Sequence, residues 1–158
     1  MFKVGVANGK RQADDMTFQI EAQHALSPNE IDAIEDRLYE HNSRATGRHD
    51  GQGLGYVIRD ASGRMIGVAA GYTWAGTSEL KQLWVDEAHR GRGYARALLD
   101  AFVVEAASRG VRRIWVSSYD FQAPHMYERA GFERMAEFEG WPDGHTNVVL
   151  CKTLPDQP

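Results

Sequence analysis

The chain has 158 residues, which fits one domain built on one core. Its formal net charge of −4 argues against the basic face of a general nucleic-acid binder, and no apolar run is long enough to cross a bilayer. Cys151 is the sole cysteine, which excludes an intramolecular disulfide and a cysteine-based zinc cluster. With no secretory signal evident, a reducing, cytoplasmic setting is the default expectation.

Met1 to Asp15 is polar and Gly-containing and reads as a loosely held extension, leaving 16–154 as the folded domain. Met16 to Ala22 alternates, with Phe18 and Ile20 on one face, and predicts a strand. Ser27-Pro28-Asn29-Glu30 is a capping box with proline at the first helical position. The helix it opens carries Ile31, Ile34 and Leu38 on one face and ends before Gly47. Ala45 to Gly53 is a polar loop.

Leu54 to Arg59 and Met65 to Tyr72 predict a hairpin around Asp60 to Arg64. A turn at Ala75-Gly76-Thr77 leads into a strand from Glu79 to Val85. Tyr94 to Ser108 has helical spacing at Leu98, Leu99, Phe102, Val103 and Ala106, stopped by Gly110. Arg113 to Ser117 predicts a strand, Ala123 to Ala130 a short helix, and Phe132 to Phe138 with Thr146 to Leu154 two final strands. This order predicts mixed α/β architecture, with helices packed on a twisted sheet. The unit from Glu79 to Ser117 should form a right-handed parallel crossover.

Chemistry concentrates in Arg90-Gly91-Arg92-Gly93-Tyr94-Ala95, between a strand and a helix start. The first N–H groups of a helix lack intrahelical partners, and the helix dipole adds positive potential there. Glycines let the backbone approach an anion closely, and two arginines add charge-assisted hydrogen bonds. The loop lacks the third glycine of a dinucleotide fingerprint and the Gly-Lys-Ser/Thr of a Walker loop.

Leu83-Trp84-Val85 followed by Arg90 to Ala95 resembles the signature of the GCN5-related N-acetyltransferases (GNAT), a Gln/Arg-x-x-Gly-x-Gly/Ala loop after an apolar strand. Arg90, Gly93 and Ala95 match it. A tyrosine followed by Gly-Phe late in the chain is the second hallmark, met by Tyr127 and Gly131-Phe132. The resemblance spans roughly Met16 to Leu154. It implies a GNAT fold: a mixed, mostly antiparallel sheet of about seven strands with helices on both faces. It further implies acetyl-coenzyme A as cosubstrate, while the six scattered histidines show no metal-site spacing and no metal is expected. The cofactor pyrophosphate would lie on the amides of Arg90, Gly91, Arg92, Gly93, Tyr94 and Ala95. Its pantetheine arm would pair with the backbone of Leu83, Trp84 and Val85, with the Val85 amide facing the thioester oxygen. Tyr127 would be the general acid that reprotonates sulfur. Glu79 would be the general base, unless it is a strand-edge carboxylate paired with Lys81 and the base is His145 or a water chain. A regular strand would put Glu79 on one face with Lys81, Leu83 and Val85.

The implied reaction is direct attack of a primary amine, small-molecule or peptide, in a ternary complex. The alternative is a non-catalytic sensor of acetyl-CoA or CoA, and a longer acyl donor is a third reading. Neither nucleic acid nor membrane is an expected partner, and dimers are common in the family, which leaves a homodimer open. One departure is Asp120, where the family often has an asparagine that bonds pantetheine. His145 reads as a surface turn residue or as an acceptor-site group, and Cys151 as a small apolar filler.

Overall fold

The computed structural model describes residues 20–155. The proposed extension over 1–15 lies outside them, as does most of the strand expected at Met16 to Ala22. The described part of that segment, residues 20–22, is not strand. The sheet therefore has six strands among the described residues rather than about seven.

The chain divides into two compact units, residues 1–46 and 47–158. The described part of the first is essentially helix α1 (Pro28–Thr46). Its start is the expected capping box: Glu30 Oε2 accepts from the Ser27 amide at 2.8 Å, and the Glu30 amide donates to Ser27 Oγ at 3.3 Å.

The second unit holds β1 (Gln52–Arg59), β2 (Met65–Trp74), β3 (Thr77–Val85), α2 (Tyr94–Ser108), β4 (Arg113–Tyr119), α3 (Pro124–Arg129), β5 (Glu133–Glu139) and β6 (Thr146–Thr153). The sheet order is β1-β2-β3-β4-β6-β5, antiparallel except where β4 lies parallel to β3 after the α2 crossover. The β2–β3 turn is only Ala75-Gly76, with φ of +51° and +78°. Two positive φ values in succession match the twist of a tight hairpin. Leu98, Leu99, Phe102 and Ala106 of α2 form one buried cluster with Leu54, Ala69, Leu80, Val85, Ile114, Val116 and Leu150 from the sheet.

One irregularity positions the site. Ala70 pairs with Gln82 but Gly71 pairs with Leu80, so Lys81 is an extra residue in β3. This bulge reverses the alternation of side chains. Leu80 is buried before it, while Val85 is buried and Leu83 packs on the core after it. Glu79 therefore faces away from Leu83 and Val85, in contrast to the regular-strand expectation. Opposite the bulge a Cβ on Gly71 would lie 1.8 Å from the Glu79 carbonyl oxygen and 3.1 Å from Leu80 Cα. Both are backbone atoms, so only glycine fits there.

Candidate active site

β3 and β4 pair at only three positions, Thr77–Arg113, Ser78–Ile114 and Glu79–Trp115. Beyond the bulge they part. β3 stays paired to β2 as far as Gly67–Val85, and β4 to β6 as far as Tyr119–Asn147. The result is a cleft of about 740 Å³, lined by Lys81 to Val85 on one side and Val116 to Tyr119 on the other. Tyr127, Met126, Arg90 and Ala95 also line it.

The backbone edge facing this cleft follows from strand alternation. The Asp86 amide donates to the Ile66 carbonyl at 2.9 Å, so Asp86 turns its backbone toward β2. Trp84, paired with Val68, does likewise. Val85 and Leu83 then turn their N–H and C=O groups toward the cleft. The Trp84 backbone, expected to bond a pantetheine arm, belongs instead to the β2 ladder. Arg90 Nε donates to the Val85 carbonyl at 3.1 Å. This leaves the Val85 N–H and both Leu83 groups on the cleft side.

The Gly-rich loop stands at the open end of the cleft. A short 3₁₀ turn, Glu87–His89, precedes it and is held by Asp86, whose Oδ1 accepts from the Ala88 amide at 3.1 Å and lies 3.0 Å from His89 Nδ1. The His89 contact is the main reason the Asp86 carboxyl is held below its usual range. Gly91 and Gly93 have φ of +74° and +80°, and no atom stands within 4 Å of where their Cβ would be. Their need for glycine is conformational, not steric. Gly93 is the N-cap of α2 and provides no side-chain cap. The first α-helical bond runs from the Ala97 amide to Gly93 O at 3.0 Å. Amides of Tyr94, Ala95 and Arg96 precede that bond and have no intrahelical acceptor. The arginines are already partly engaged: Arg92 reaches the Ala88 carbonyl at 3.4 Å, and Arg96 grips Asp100 at 2.8 Å.

Tyr127 comes from α3, whose Pro124 occupies the first turn. Its ring is buried, at 6% exposure, and stands edge-on to Phe132 at 5.7 Å. Gly131 takes φ of +83° to end the helix, and the Phe132 amide returns to the Tyr127 carbonyl at 3.0 Å. Lys152 Nζ closes the same end, donating to the Ala130 carbonyl at 2.7 Å. The Tyr127 to Phe132 segment is thus a clamp that fixes one phenol. Its hydroxyl has no hydrogen-bond partner among the described residues, and burial pushes its pKa up to about 12.

Glu79 is not one of the residues that line the cleft. It stands at the closed end, where β3 and β4 are still paired. Asp120 has its own partners: Oδ1 lies 3.1 Å from His145 Nδ1, and Oδ2 accepts from the Thr146 amide at 3.2 Å. Phe121 stacks on Tyr119 at 5.2 Å and meets His145 edge-on at 4.8 Å. Among the described residues, no group of three His, Cys, Asp or Glu side chains is placed to hold a metal. No helix there is long and apolar enough to cross a membrane.

The sequence reading missed the Lys81 bulge, Gly71 and the Asp86–His89 brace. A three-residue step between Leu80 and Leu83, with a glycine inside the facing strand, signals such a bulge.

Comparison with known proteins agrees with this architecture. An acetyltransferase of Agrobacterium fabrum is 33% identical over 120 residues, covering 76% of this chain and 88% of that protein. The blasticidin-S acetyltransferase of Streptomyces morookaense is 31% identical over 93 residues, 58% of this chain and 68% of that protein. The crystal structure of an acetyltransferase from Bacillus cereus superposes with a TM-score of 0.70 at 25% identity, covering 85% of this chain and 98% of that one. A family model for the acetyltransferase (GNAT) family matches residues 17–132, and the chain belongs to that family.

Proposed function

We propose that the protein moves the acetyl group of acetyl-CoA to a primary amine by direct attack in a ternary complex. The observation that carries this reading is the parting of β3 and β4 beside the unpartnered Tyr127 hydroxyl. Open strand edges accept an extended chain bearing amides, and a pantetheine arm is such a chain. The Leu83 carbonyl and the Val85 N–H supply its partners. The cofactor pyrophosphate then rests on the amides from Arg90 to Ala95, above the start of α2.

Each proton has a place in this scheme. An alkylammonium acceptor, with a pKa of roughly 10, must lose a proton before attack. Glu79, at the closed end of the cleft and outside its lining, receives it through a chain of waters. The amine nitrogen bonds to the thioester carbon, and the Leu83 N–H, deeper in the cleft than the Val85 N–H that pairs with the arm, stabilises the oxyanion. Collapse breaks the C–S bond. Tyr127, protonated throughout the working pH range, donates to the leaving sulfur, and the phenolate so formed takes the second proton from the acylated nitrogen, which restores the phenol and leaves a neutral amide. A free thiolate, with a pKa of about 8.5, would not take a proton from this phenol outright. In the desolvated cleft the thiolate is destabilised by the same burial that raises the phenol, which narrows the gap. The Streptomyces relative, named for blasticidin-S, supports a small-molecule acceptor.

The test is calorimetric titration with acetyl-CoA followed by thiol release across an amine panel. Binding together with amine-dependent release is expected. Binding without release on any amine would favour a sensor, and no binding would contradict the reading altogether.

A further inference from the structure

The register of the sheet sets Gly53, Tyr72, Glu79, Trp115, Cys151 and Glu133 side by side in one cross-strand row. Paired residues share a face, so this row points away from the buried α2 cluster. Glu79 therefore stands between two aromatic neighbours, Tyr72 and Trp115, which are 37% and 38% exposed. Trp84 lies on the same face, because its partner Val68 is four residues from Tyr72 in β2. It is 45% exposed and lines the cleft. Tyr119, four residues beyond Trp115, continues this face along β4 and carries the stacked ring of Phe121. Lys81, freed by the bulge, holds its ammonium 5.4 Å from the centre of the Tyr72 ring. That contact shows the ring face to be within reach of a cation.

We propose that this face is the acceptor surface, and that it selects a monocationic small amine attached to a flat apolar body. The inference rests on the transferase reading above. A carboxylate flanked by aromatic neighbours suits an ammonium group. Trp115, beside Glu79, is the ring against which a planar body would lie, and Trp84 continues the apolar face toward the cleft. Lys81 adds a positive charge beside the same row and so disfavours acceptors with a second cation. From this side the amine nitrogen reaches the parted strands opposite the face where Arg90, Ala95 and Tyr127 receive the cofactor.

The test uses the full chain with acetyl-CoA and four acceptors: tryptamine, phenethylamine, n-hexylamine and spermidine. Thiol release should give kcat/KM for tryptamine roughly tenfold above n-hexylamine, with spermidine lowest. Trp115→Leu should raise the KM for tryptamine several-fold and leave the KM for acetyl-CoA unchanged, while Trp115→Phe should restore most of the loss. Equal use of n-hexylamine, or preference for spermidine, would overturn the inference and leave the transferase reading standing. Bound acetyl-CoA with no thiol release from any amine would overturn both.

Discussion

Two parts of the β3–β4 cleft are built by different means. At the open end, the loop from Arg90 to Ala95 uses backbone: two positive-φ glycines and a helix start with no side-chain cap. At Tyr127 the proposed acid is one hydroxyl on a buried side chain, held by Phe132, Gly131 and Lys152. A surface made of amides tolerates side-chain changes but not a change of φ. A site made of one hydroxyl tolerates neither loss of that atom nor loosening of its clamp.

The contrast gives its largest effect at Tyr127. Removing only the hydroxyl in Tyr127→Phe should lower kcat about 10²–10⁴-fold with acetyl-CoA affinity retained. Equal turnover in single-turnover kinetics would place the acid elsewhere. Next comes Gly71→Ala, because a Cβ there meets the backbone of Glu79 and Leu80. It should cost about 2 kcal/mol or more in urea unfolding and weaken acetyl-CoA binding through the displaced bulge. An unchanged midpoint would show that β3 has room to yield.

At the loop, Gly93→Ala should cost about 1 kcal/mol at φ of +80° and weaken acetyl-CoA several-fold, read by calorimetry. Arg92→Ala should do less, about two- to threefold, because exposed charges are screened by salt. A larger loss from Arg92→Ala than from Gly93→Ala would reverse the comparison. The smallest effect is in pH. The Tyr127 phenol, raised from 10.0 to about 12, ionises in the unfolded chain first. Its contribution to stability is complete below pH 10 and is lost as pH rises toward 12. Relative to Tyr127→Phe, the parent should lose stability more steeply across that window in alkaline denaturation. Parallel curves would mean the phenol is not desolvated.

Much of the local structure was legible in the sequence because its signals are local. The capping box at Ser27 and the span Tyr94–Ser108 depend on neighbours a few residues apart, and both match the structure. The same holds for the turn at Ala75-Gly76 and the Gly131-Phe132 helix end. What escaped depends on register between strands. The Lys81 bulge is defined by how β3 meets β2, and it alone turns Glu79 from the face of Leu83 to that of Trp115. Asp120 departs from the asparagine common in the family, and its partners, His145 and Thr146, come from a loop distant in sequence. Arg90, expected to point at phosphate, gives its Nε to the strand end it follows.

On the proposed reading, the thioester lies between the parted strands with its sulfur at Tyr127. A crystal structure of the protein with acetyl-CoA tests it most directly. The pantetheine arm is expected along Leu83 and Val85, with the sulfur within roughly 3.5 Å of the Tyr127 hydroxyl. An arm lying outside the β3–β4 cleft, or a sulfur far from Tyr127, would contradict it.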